Sequence, residues 1–113
     1  MAKLNIGESI IVTVREGLTF TIMRTYDYYF VECNEYKDQD VYVTIKRPED
    51  IIKDITITKL RNKLRNAGVN VDPEELVRAF NTQFLKYEKE GNEEGSESPS
   101  EDEENEDSEE DKE

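Results

Sequence analysis

From Glu90 to Glu113 the chain reads EGNEEGSESPSEDEENEDSEEDKE, with no aliphatic or aromatic residue. The run holds fourteen acids and one base, Lys112. Such a segment has no apolar surface to bury and cannot offset the entropy lost on ordering. Its like charges also repel and extend it. A disordered acidic tail is therefore expected over 90–113, and the fold must be built from residues 1–89. The formal net charge is −13 for 113 residues, yet residues 1–89 carry 14 acids and 14 bases. A neutral body carries an anionic polymer, and function is expected in what that polymer does to something basic.

About 89 residues suit one compact domain with a modest core. No apolar run approaches the roughly 18–20 residues of a membrane span. The first apolar stretch is interrupted at Glu8 and lacks a signal-peptide pattern. The single cysteine, Cys33, excludes an internal disulfide and fits a reducing, cytoplasmic setting. With no histidine and one cysteine, a structural zinc site is not expected.

The periodicity predicts an α+β body. Residues 8–15 are β-branched and partly alternating. Residues 18–25 alternate clearly, with Leu18, Phe20 and Ile22 on one face, and Glu16-Gly17 between the two runs predicts a tight hairpin turn. Residues 28–33 and 40–46 supply two more strands, the last with Val41, Val43 and Ile45 on one face. Residues 34–39 are polar and turn-like. Four short strands with short links predict a small antiparallel meander with one face packed and one solvated.

The period then changes, and two or three helices are expected. Pro48-Glu49-Asp50 can open a helical turn. Ile55–Thr58 is ambiguous between strand and helix entry. A helix is expected from a Thr58 cap to a Gly68 terminator, with Leu60, Leu64 and Ala67 on its apolar side. A final helix is expected from Asp72 (N-cap), Pro73 (first position) and Glu75 (capping box) to Gly91. Its apolar stripe is Leu76, Val77, Phe80, Phe84, Leu85 and Tyr87.

Three groups of residues are candidates for function. Lys59, Arg61, Lys63 and Arg65 on the first helix can contact a nucleic-acid backbone or an acidic partner; the alternative is a solvated helix face. The aromatic set of Phe20, Tyr26, Tyr28, Tyr29, Phe30, Tyr36 and Tyr42 can stack bases or fill a sheet and a protein interface. Packing or a protein interface is the favoured reading, with Tyr28, Tyr42, Phe84 and Tyr87 as interface candidates. In the tail, Glu101, Asp102, Glu103, Glu104, Glu106, Asp107, Glu109, Glu110 and Asp111 can present closely spaced anions that mimic nucleic acid toward a basic surface; the alternative is a solubilising extension or an entropic spacer.

Catalysis is not expected. The commonest general base is absent, Cys33 follows Glu32 rather than a cation, and no phosphate-cradling loop occurs. The tail lacks the D-x-D-x-D-G spacing of a calcium loop. No cofactor or specific metal is expected.

A small α+β body, a short basic helix, an aromatic-rich final helix and the stretch GNEEGSESPSEDEENEDSEEDKE together resemble small accessory subunits of the crenarchaeal replicative B-family DNA polymerase. The resemblance implies a non-catalytic archaeal subunit whose body docks on the polymerase. Its tail would compete with DNA and limit strand displacement during replication. Two other readings stand beside it: a nucleic-acid binder using residues 58–67 and autoinhibited by its tail, and an acidic-tailed chaperone of basic proteins.

Overall fold

The computed structural model of the chain describes Leu4 to Glu88. The expected tail over 90–113, and the helix terminator Gly91, lie outside the described residues. Four strands form one antiparallel sheet in the order β1-β2-β3-β4: β1 Ser9–Arg15, β2 Leu18–Arg24, β3 Tyr29–Cys33 and β4 Tyr42–Ile45. The meander forms because alternating residues put one apolar face on every strand. Val12, Phe20, Val31 and Val43 lie on that face and are buried.

β1 and β2 meet at the Arg15–Leu18 pair, after an irregularity between Thr13 and Arg15. Gly17 closes this turn at φ 83°, a conformation that a Cβ would strain. Between β3 and β4 the polar run is not an open turn but 3₁₀ structure, Asn34–Gln39. A second 3₁₀ helix, Pro48–Ile52, follows β4.

The first long helix, α1, spans Asp54–Asn66. It begins four residues before the expected Thr58 cap, so Thr58 lies within the helix and is exposed. The β-branched segment is recruited because Thr56 and Ile57 reach the core with Leu60 and Leu64; tertiary burial outweighs a weak local propensity. Gly68 ends α1 at φ 90°. Its N–H donates to Arg65 O, and the Val69 N–H donates to Leu64 O, the paired bonds of a Schellman motif.

The second helix, α2, spans Pro73–Phe80 and continues through a π-helical turn, Asn81–Leu85, to Glu88. Its start is as expected: the Asp72 N–H donates to Glu75 Oε1 at 3.1 Å. The helices cover one sheet face, α1 beside β4 and α2 beside β1. Aromatic pairs fasten the layers. Phe80 meets Phe20 edge-on at 5.4 Å, and Phe84 meets Tyr29 edge-on at 5.7 Å. Each such ring contributes about 1.5–3 kcal/mol by burial and about 0.5–1.5 kcal/mol through its edge-to-face partner. Among the described residues no helix is long and apolar enough to cross a membrane.

Candidate functional site

The sheet's second face carries little cover. Register aligns Ile11, Thr21, Glu32 and Tyr42 across the four strands in one row. Ser9, Met23, Phe30 and Thr44 form the next row. Ile11 is 64% exposed, Tyr42 41% and Met23 37%. The Phe30 and Tyr42 rings lie 5.3 Å apart at 33°. One end is closed by the 3₁₀ segment. There Glu35 accepts from the Thr19 N–H at 2.8 Å and its hydroxyl at 2.9 Å. Partial desolvation pushes the Glu35 carboxyl up, but these hydrogen bonds outweigh it and hold the group below its ordinary value. The remaining surface combines exposed aliphatic, thioether and aromatic groups with one carboxylate, Glu32. Such a composition suits a protein interface, whose centres are depleted in charge and enriched in aromatics and Met.

The aromatic candidates divide between the two faces. Tyr28, 39% exposed just before β3, and Tyr42 are available for contact. Tyr29 and Phe20 are buried in the core instead. Phe84 is fully buried against Tyr29. Phe84 is therefore a packing residue of the body and not an interface residue, because the α2 stripe that carries it is spent on the sheet. Tyr87 is half-buried at the margin of the core.

The four cations of α1 do not form one stripe. Residues two apart on a helix are separated by about 200°, so the cations fall into two pairs on opposite flanks. Lys59 and Lys63 face the edge of β4, with Lys63 Nζ 5.5 Å from the centre of the Tyr42 ring. Arg61 and Arg65 border a cleft at the α1–α2 junction together with Arg15, Asn70, Asp72 and Glu75. Arg15 is already engaged there, donating to Asn70 O at 2.7 Å and to Glu75 Oε1 at 3.4 Å. Among the described residues no ion pair involves Lys59, Arg61, Lys63 or Arg65. The outermost strip of α1, between the two pairs, is uncharged: Thr58, Asn62 and Asn66.

Cys33 points inward from β3 and is fully buried. Burial pushes its thiol pKa up, and the neighbouring Glu35 carboxylate adds to this against backbone hydrogen bonds that lower it. The acids named for the tail lie outside the described residues.

Two polar contacts were not foreseen. Gln83, carried by the π-helical turn, covers the outer edge of β1: its Oε1 accepts the Thr13 N–H at 2.8 Å and its Nε2 donates to Thr13 O at 2.7 Å. Glu88, 3% exposed, accepts the Leu4 N–H at 2.9 Å. A signal for Glu88 was present, since it continues the i, i+4 series Leu76, Phe80, Phe84 and so places a carboxylate on an apolar stripe. For Gln83 none was.

No protein-family model matches the chain, nor does any curated protein or solved structure.

Proposed function

We propose that this protein is a non-catalytic accessory subunit of a larger nucleic-acid enzyme, a DNA polymerase by the resemblance of its sequence. The folded body docks through the open sheet face around Ile11, Met23, Phe30 and Tyr42. The acidic stretch 90–113 then competes with DNA at the partner's basic channel and limits strand displacement. The observation that carries this reading is the separation of the two chemistries. A charge-balanced body exposes an apolar sheet face, and the whole excess of −13 resides beyond it. Tethering raises the tail's effective concentration to about the millimolar range, so competition needs no tight binding of its own.

Primer extension against a downstream strand tests the division of roles. Full-length protein should reduce strand displacement by a crenarchaeal B-family polymerase. A full-length form with the acids of 101–111 changed to amides should bind the polymerase equally and reduce displacement less. Loss of polymerase binding in the amide form overturns the reading.

The α1 cations, which make no ion pair among the described residues, favour a second reading, direct contact of Lys59, Arg61, Lys63 and Arg65 with phosphates, opposed by the tail. In that case the amide form gains DNA affinity in the absence of any polymerase.

A further inference from the structure

We infer that the groove between the β4 edge and α1 is a binding site for an extended acidic chain, and that its occupant in the free protein is the segment Glu101–Asp111 of the same chain. The groove encloses about 420 Å³ and is lined by Tyr42, Val43, Thr44, Ile55, Thr56 and the two lysines, Lys59 and Lys63. Among the described residues no carboxylate lines it. The arginine cleft on the opposite flank includes Asp72 and Glu75, which offset its cations, and Arg15 is already held there. Of the two positive surfaces, the lysine groove is the one left uncompensated.

The groove also presents an open strand edge. The Cys33 N–H donates to Val41 O at 2.9 Å, so hydrogen-bonded positions recur at Val43 and Ile45 along the β3–β4 ladder. The backbone N–H and C=O of Thr44 consequently point away from β3, to the side where no further strand pairs among the described residues. An extended chain laid along that edge gains main-chain hydrogen bonds while its side chains meet the helix, the usual mode of strand addition to a sheet edge.

The spacing fits the acidic segment. Lys59 and Lys63 stand four residues apart on one helical flank, about 6 Å between their Cβ atoms. In an extended chain, side chains two residues apart share one side at about 6.6 Å. Within 101–111, acids recur two apart at Glu101 and Glu103, Asp102 and Glu104, Glu104 and Glu106, Asp107 and Glu109, and Glu109 and Asp111; within 90–100 no such pair occurs. The distal block therefore matches the lysine repeat and the proximal stretch does not.

The chain can also reach. Glu88, the last described residue, lies beside Lys46, Pro48 and Glu49, at the end of β4. The twelve residues 89–100 intervene and span roughly 20 Å even as a random coil and about 40 Å when extended. Acids are poor strand formers, so the seated state is held mainly by charge and yields to salt or to a stronger polycation. This seating extends the proposed competition by the tail, giving the anions a place to rest before a partner's basic channel draws them out. It is tested on the free protein, so its failure leaves docking on the polymerase untouched.

The test is paramagnetic relaxation in the full chain, with a nitroxide at Ser108→Cys; Cys33 is buried at 0% exposure and shielded from the label. At about 20 mM salt, amides of Tyr42–Ile45 and of α1 around Lys59 and Lys63 should broaden. Enhancement at Thr44 should fall about fivefold or more at about 500 mM, where the Debye length drops from roughly 20 Å to roughly 4 Å. Lys59→Glu with Lys63→Glu should abolish it, and Arg61→Glu with Arg65→Glu should leave it. The inference is overturned by broadening centred on Arg15, Arg61 and Arg65, or by none at low salt. It is overturned equally if spin-labelled protein broadens an unlabelled, isotope-enriched copy to the same extent, which places the segment on a second molecule.

Discussion

The backbone N–H of Leu4 donates to Glu88 Oε2 at 2.9 Å, joining the first and last described residues across 84 positions of sequence. Both residues are buried, at 1% and 3% exposure, and the Tyr29 hydroxyl reaches the other oxygen of Glu88 at 3.4 Å. Arg24 adds a bond from its guanidinium to Leu4 O at 3.0 Å. The last described residue before the acidic stretch is thereby fixed to the sheet.

Glu88→Ala should leave a buried N–H and a buried hydroxyl without a partner, a loss of about 1–3 kcal/mol. In a domain of this size a loss of 2 kcal/mol corresponds to a Tm drop of roughly 8–16 °C. Glu88→Gln keeps an acceptor and should lose less. Calorimetry of the two variants measures this, and equal Tm values for Glu88→Ala and the parent would refute the clasp.

Gln83→Ala should uncover the β1 edge at Thr13. The contact is exposed, so stability should fall by only about 1 kcal/mol. The larger effect should be association, because an uncovered edge is a template for another strand. Sedimentation velocity of the variant against the parent should show a larger oligomer fraction at equal concentration; an unchanged monomer would argue that Gln83 guards nothing.

Ile11→Glu with Met23→Glu should weaken docking on the polymerase by about tenfold or more, since truncating an anchor in a buried interface centre costs about 2 kcal/mol. The fold should tolerate the pair, because both side chains already face solvent. Titration calorimetry against the polymerase and a thermal melt of the free variant separate the two effects. Undiminished affinity would move the docking surface elsewhere.

Alkaline pH should unfold the body through two groups on β3. Burial raises the pKa of Cys33 above its ordinary 9.0 and that of Tyr29 above 10.0. Both bind their proton more tightly folded than unfolded. Their stabilisation is complete below those ordinary values and is lost as pH rises through the folded ones. Urea midpoints should therefore decline from about pH 9 upward. Cys33→Ala should flatten the early part of the decline and Tyr29→Phe the later part. A midpoint indifferent to pH between 8 and 11 would contradict the burial of both groups.

The meander was legible because alternation is a two-residue rule: Leu18, Phe20 and Ile22, or Val41, Val43 and Ile45, declare a buried face without reference to anything distant. The start of α2 was legible for the same reason, since Asp72, Pro73 and Glu75 act on their own backbone. The start of α1 was not. Ile55, Thr56 and Ile57 favour a strand locally, and only the core that receives Thr56 and Ile57 makes them helical. The sequence offers Phe84 to an interface because an apolar stripe shows that a helix face is buried without saying against what. The split of Lys59 and Lys63 from Arg61 and Arg65 was within reach of the sequence, since spacing by two on a helix already puts side chains on opposite flanks. Gln83 could not be read, because it bridges 70 positions to Thr13.

The central claim is that docking and competition with DNA reside in separate parts of the chain. Its most direct measurement is the DNA affinity of a crenarchaeal B-family polymerase saturated with this protein, at about 50 and 200 mM salt, where phosphate contacts differ most in strength. The account predicts that full-length protein weakens DNA binding several-fold at the lower salt and much less at the higher. The form with amides in place of the acids of 101–111 should bind the polymerase unchanged and leave DNA affinity as it was. Equal weakening by both forms, or failure of the amide form to bind, would contradict it.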